Sequence, residues 1–164
     1  MKYLKLFESF EDIKSICKKY GIENYTINDD GSIDVDGDVN LYESGLSKIP
    51  FKFRNVSGYF YCSYNKITSL EGYPTSVGGH FNCSNNQITS LEGCPESVGG
   101  DFICNGNTIS EIWNLFNDYD KIELFNDYDI IRGDTIILDR LNDFLEEIGK
   151  PTVTEVEVEN YKII

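Results

Sequence analysis

One histidine, five cysteines and 28 carboxylates are the groups with which this chain could do chemistry. Cys62, Cys83 and Cys104 stand 21 residues apart, and no two cysteines form a CxxC pair. A linear row of thiols cannot supply the tetrahedral geometry of a zinc site. They read as small buried hydrophobes, kept reduced in a cytosolic setting. His80 has no nucleophile in its own row, and no spacing among the acids singles out a pair for acid–base work. The Gly-Gly pairs precede strand-like segments rather than helices, so they do not cradle phosphate. No catalytic residue, metal or cofactor is expected, and the chain is read as a non-enzyme. One stretch mimics a calcium loop: from Ser32, the residues Asp34, Asp36, Gly37, Val39 and Glu43 fall on EF-hand positions three, five, six, eight and twelve. Position one is Ser32 instead of Asp, and Ile33, Val35, Val39 and Leu41 alternate as strands do. The sequence leaves calcium binding there open.

The elements that would position such groups come from a repeat. Gly79-His80-Phe81-Asn82-Cys83-Ser84-Asn85-Asn86-Gln87-Ile88-Thr89-Ser90-Leu91-Glu92-Gly93 matches the segment starting at Gly58, 21 residues earlier, and the one starting at Gly100, 21 later. Self-similarity at this period predicts a solenoid whose units bury their apolar faces against one another. Val77, Phe81, Cys83, Ile88 and Leu91 are its inward positions, and a degenerate earlier unit begins at Gly37. Phe81 and Cys83 have strand spacing, so successive units are expected to form a parallel sheet of about four strands. Asn65, Asn86 and Asn107 are expected to form a ladder at the turn leaving the strand, their amides satisfying backbone groups. If Phe81 and Cys83 point inward, the residues between them point outward. The outward rows are Asp38, Asn40, Tyr42; Tyr59, Tyr61, Ser63; His80, Asn82, Ser84; and Asp101, Ile103, Asn105. The candidate binding residues on this face, expected to be concave, are Tyr42, Tyr59, Tyr61, Tyr64, His80, Asn82, Asp101 and Ile103. Tyrosine suits an interface because it offers area together with a hydroxyl.

The pattern Phe-x-Cys-x-x-Asn-x-Ile-x-x-Leu resembles the L-x-L-x-x-N-x-L core of leucine-rich repeats. Residues 82–91 look like the short repeats of bacterial effectors, although Val77 to Phe81 spans one residue more than their usual L-x-x-L. Val-Gly-Gly-x-Phe and Ser-Leu-Glu-Gly-x-Pro more closely resemble repeat proteins encoded by large tailed bacteriophages, as do the opening Met-Lys-Tyr-Leu-Lys-Leu-Phe-Glu and the stretch Leu-Phe-Asn-Asp-Tyr-Asp-Ile-Ile-Arg. The repeat match covers residues 37–112. It implies an α/β fold built on a short leucine-rich-repeat-type solenoid and, since such repeats mostly bind proteins, a host or viral protein partner.

Three regions follow: an N-terminal cap over 1–36, the solenoid over 37–112, and an acidic helical cap over 113–164. Tyr3, Leu6, Phe7, Phe10, Ile13, Ile16, Cys17 and Tyr20 recur at helical spacing, Ser9 with Asp12 reads as a capping box, and Gly21 as the stop. Asp30-Gly31 is expected to turn a hairpin between Tyr25–Ile27 and Ile33–Val35. Beyond the repeats, Ser110–Phe116, Lys121–Phe125 and Asp139–Ile148 read as helices. The hexapeptide Leu-Phe-Asn-Asp-Tyr-Asp occurs at 115–120 and again at 124–129; an offset of nine would place the copies on opposite faces of one helix, so two short elements are expected. Val153, Val156 and Val158 suggest a final edge strand.

Mean hydropathy is −0.33 and 40% of residues are apolar, as in a soluble, foldable chain. No apolar run approaches the length of a membrane span, and the start lacks a signal-peptide pattern, so a cytoplasmic location is expected, in the host cell if phage-encoded. Formal charge is −14. Residues 109–150 carry eleven acids against four bases, −7 in all. This excess disfavours direct contact with nucleic acid or anionic membranes. It leaves a second reading open, an acidic mimic of nucleic acid that blocks a host DNA- or RNA-binding enzyme. A structural component of a virion is a third.

Overall fold

The computed structural model describes residues 2–132, 135–156 and 162–164, and for residues 2–10 only the backbone path. Helix α1 (Lys2–Lys19) leads into the hairpin of β1 (Tyr25–Ile27) and β2 (Ile33–Val35). Seven short strands follow: β3 (Val39–Asn40), β4 (Phe53–Val56), β5 (Phe60–Tyr61), β6 (Ser76–Val77), β7 (Phe81–Asn82), β8 (Ser97–Val98) and β9 (Phe102–Ile103). The chain then forms α2 (Ser110–Phe116), a 3-10 turn at Tyr119–Lys121, α3 (Ile122–Asp127), β10 (Ile131–Arg132), β11 (Thr135–Ile136), α4 (Leu138–Glu147) and β12 (Lys162–Ile163). Among the described residues, no helix is long and apolar enough to cross a membrane.

The middle of the chain is an α/β-type β-solenoid of stacked parallel coils. Strands β3, β5, β7 and β9 form one parallel sheet, in which Phe60 pairs with Phe81 and Phe81 with Phe102, so each 21-residue circuit returns one strand lower. This is the expected parallel sheet of about four strands, and each coil also contributes to a second sheet, not expected from sequence, ordered β1-β2-β4-β6-β8. Val56, Val77 and Val98, which share the inward position read for Val77, lie on its strands. Their β-branched side chains fit a pleated surface, and the step after each one, Ser57-Gly58 in the first coil and Gly-Gly in the next two, turns the chain from this sheet into the other. Below Ser57 the corner has no room for a side chain: a Cβ on Gly78 would lie 2.1 Å from the carbonyl oxygen of Ser57 in the coil above.

Between the sheets the inward residues stack by type. Phe60, Phe81 and Phe102 lie ring over ring, with centroids 5.8 and 5.3 Å apart. Ile67, Ile88 and Ile109, and Leu70 and Leu91, are buried beside them, as are Cys62, Cys83 and Cys104. Burying each large apolar side chain stabilises the fold by about 1.5–3 kcal/mol against leaving it exposed. The asparagine ladder forms as expected. Asn86 donates from Nδ2 to the carbonyls of Cys83 in its own coil and Cys62 in the coil before, both at 3.0 Å, and its Oδ1 accepts the Ile67 N–H. Asn65 and Asn107 make the equivalent bonds.

At the N-terminal end, α1 buries Ile13 and Cys17 and stops at Gly21, whose φ is +64°. The helix begins at Lys2, so Ser9 and Asp12 lie within it; the expected capping box at its start is not there. The side chains of Tyr3, Leu6, Phe7 and Phe10 fall outside the described residues. Strand β2 pairs with β1 antiparallel and with β4 parallel, which makes the hairpin an extension of the second sheet.

At the other end the twin hexapeptides split into separate elements, as expected. In the first copy Asn117 adopts φ 43° and caps α2; in the second, Asn126 is helical within α3. Phe116 and Phe125 nevertheless stack at 5.2 Å, with Phe144 of α4 edge-on to both. The segment expected to be a helix over 121–125 is part 3-10 turn and part α3. Val153 and Val156 lie in irregular chain and not in a strand, Val158 lies outside the described residues, and the last described strand is β12, parallel to β11.

Candidate functional site

The residues expected to face outward lie on the exposed face of the β3-β5-β7-β9 sheet, in rows set by the 21-residue register. Because Phe60 and Cys62 point into the core, Tyr59 and Tyr61 point away from it. Tyr59 stacks on Tyr61 at 5.6 Å along its own strand and on His80 of the next coil at 5.3 Å. Glycine makes room for the ring: a Cβ on Gly79 would lie 2.3 Å from a carbon of Tyr59. Tyr42 and Tyr64 form a second pair, edge to face at 5.5 Å. Tyr42, Tyr59 and Tyr64 are 50%, 40% and 56% exposed, so three of the largest exposed apolar side chains among the described residues share one face.

The polar members of the face are already engaged. The Asp101 N–H donates to Nδ1 of His80 at 2.7 Å, which places the proton of a neutral ring on Nε2. The Asp101 carboxylate lies 3.2 Å from the same nitrogen. It could form an ion pair only with an imidazolium that had given up the backbone bond, and the shorter, donor-matched contact is the one that describes this arrangement. Two coils away, Asp38 plays the part of His80: its Oδ1 accepts the Tyr59 N–H at 2.7 Å. Asn82 accepts both the N–H and the hydroxyl of Ser84, and Asn40 accepts the N–H of Tyr42. Ile103 is half-buried on the last strand of the sheet.

A further set of equivalent residues, of which only Tyr64 is read from sequence, lies where the chain leaves the strands. Glu43, Tyr64, Asn85 and Gly106 occupy one coil position and all have left-handed backbone, with φ of 49°, 57°, 53° and 69°. Glycine takes this conformation freely and asparagine tolerates it, whereas another L-residue is strained by about 1–2 kcal/mol. Extending the outward rows by one residue at the same period would have revealed it. Tyr64 is therefore both the most exposed tyrosine of the face and one that its backbone disfavours.

The three aspartates of the calcium-like stretch are each held by the following coil. Asp34 takes the Arg54 guanidinium and Asn55, Asp36 takes the Ser57 hydroxyl, and Asp38 takes the Tyr59 N–H. The Arg54 side chain holds the Asp34 carboxyl below its ordinary range. Among the described residues, no group of three or more His, Cys, Asp or Glu is placed to hold a metal ion. Burial pushes the Cys62 and Cys94 thiols up to about 12 and raises Cys83 as well, away from the nucleophilic thiolate.

Comparison of the chain with protein-family models, with curated proteins and with solved structures finds no match.

Proposed function

We propose that the chain is a non-enzymatic, leucine-rich-repeat-type protein of the kind encoded by large tailed bacteriophages, and that it binds a host or viral protein in the host-cell cytoplasm. The face that binds is the outward side of the β3-β5-β7-β9 sheet, with Tyr42, Tyr59, Tyr61 and Tyr64 as its anchors. The observation that carries this reading is the tyrosine cluster, in which exposed aromatic area is concentrated on one face and Tyr64 is retained against its backbone preference. Anchors of this kind supply much of the energy of protein interfaces, and backbone strain tends to persist where function maintains it. His80, Asn82, Asp101 and Ile103 flank the cluster and shape it.

The test is a tagged pull-down from host lysate at low and moderate salt, wild type beside a Tyr59→Ala/Tyr61→Ala variant whose melting temperature is checked first. A specific partner that survives moderate salt and is lost from the variant supports the reading. A set of nucleic-acid enzymes released by salt or by DNA, whatever stands at the tyrosine positions, would replace it with the acidic mimic.

A further inference from the structure

The two sheets end differently at the N-terminal end of the solenoid. The second sheet continues past β2 into β1, which covers its edge. Among the described residues, no strand pairs with the outer edge of the first sheet at β3. Val39 and Leu41 direct their main-chain groups to β5, as the bonds from Val39 N to Tyr59 O and from Leu41 N to Tyr61 O show. Asp38 and Asn40 alternate with them and so present their main-chain groups to the other side. Asn40 is exposed, and no partner for its N–H occurs among the described residues. The opposite end of this sheet is finished: the outward carbonyl of Cys104 accepts from Asn107 and Ser110, and Phe102 packs on Trp113 and Tyr119. An open edge of this sort is a template for another strand.

The charge around the edge is one-sided. Residues 21–47 contain seven acids and no lysine or arginine. Asp30 and Asp34 are answered by Lys52 and Arg54, while Asp36, Asp38 and Glu43 make no ion pair among the described residues. Beside them stands the exposed Tyr42–Tyr64 pair, whose ring faces attract cations. A second copy of this chain would bring the same acids against these, which argues against self-pairing.

We infer that the β3 edge takes an extended, lysine- or arginine-bearing peptide segment as a fifth strand. The main chain of that segment pairs with Asn40, and its cationic side chains reach Asp38, Glu43 and the Tyr42–Tyr64 rings. This rests on the protein-binding reading above and names the partner chemistry for one end of the same face.

The experiment titrates the protein into a fluorescein-labelled heptapeptide of alternating lysine and valine and reads anisotropy at 50 and 300 mM salt. An equally charged peptide, N-methylated along one edge, is the strand-blocking control, and a glutamate–valine peptide is the charge control. Asn40→Pro removes the outward N–H, a change that edge strands tolerate, together with the side-chain bond to the Tyr42 N–H, which the control Asn40→Ala removes by itself. Binding of the basic peptide is expected, with a loss of at least tenfold on N-methylation and in Asn40→Pro, and none for the acidic peptide. Equal binding of the N-methylated peptide would overturn the inference, because attraction would then be charge alone; so would failure of the basic peptide to bind. Should Asn40→Pro not fold, the peptide arms decide by themselves. Failure here, together with partner capture that still depends on Tyr59 and Tyr61, would remove the edge and leave the tyrosine face standing.

Discussion

The side-chain oxygen of Asn86 accepts the backbone N–H of Ile67, 19 residues earlier, at 3.0 Å. With the two carbonyls bonded by its Nδ2, one amide closes its own turn and fastens it to the coil before. All of these groups are buried, so they have no water to fall back on.

Asn86→Leu would fill a similar volume yet leave the buried Ile67 N–H without a partner and take one of two amide bonds from each of the Cys62 and Cys83 carbonyls. A buried group without a partner costs about 1–3 kcal/mol. The expected loss is on the order of 3 kcal/mol by urea unfolding with an unchanged m-value, whereas Asn82→Ala, on the outward face, is expected to cost under about 1 kcal/mol.

Replacing Tyr64 separates stability from recognition. Tyr64→Gly relieves left-handed strain, and Gly106 already occupies the same coil position. Stability is expected to stay level or rise by up to about 1 kcal/mol, the greater freedom of glycine in the unfolded chain offsetting part of the relief. Partner capture is expected to fall. A variant that loses stability without losing capture would show that Tyr64 serves packing against Tyr42.

Acid weakens the tie between the hairpin and the first full coil. The Arg54 guanidinium holds the Asp34 carboxyl below its ordinary range, so the folded state favours the ionised form. Its stabilisation is present above the unfolded value of about 3.9 and is lost as pH falls through the lowered folded value. Asp34→Asn is expected to melt below wild type at pH 7, with the gap closing from about pH 4 downward. A gap that persists at pH 2 would assign it to packing or neutral hydrogen bonds.

Alkali acts through the thiols. Cys62 lies 3.2 Å from the Tyr73 hydroxyl in the core, and burial raises both groups. Their folded values lie above the unfolded ones, so their contribution is complete below about pH 8.5 and declines as pH rises towards the folded values. The native protein at pH 8 is expected to react slowly with Ellman's reagent, and all five cysteines are expected to react quickly in denaturant. A fast native thiol would point to Cys94, which is only half-buried.

Sequence alone determined the features that repeat. Period 21 fixes which residues are equivalent, and equivalence plus strand alternation places Phe81 and Cys83 inside, His80 and Asn82 outside, and Asn86 at the turn. These readings hold because a stacked coil gives equivalent residues the same surroundings, so a local pattern already carries its tertiary environment. What repetition does not encode was decided by the fold. The second sheet was hidden because each of its later strands contributes only a Ser-Val pair, too short to show alternation. The twin hexapeptides adopt different conformations because their places in the cap differ, not their residues. The left-handed backbone of Tyr64 and the free edge at Asn40 are likewise products of position. One is imposed by the corner that all coils share, and the other by where the hairpin stops covering the stack.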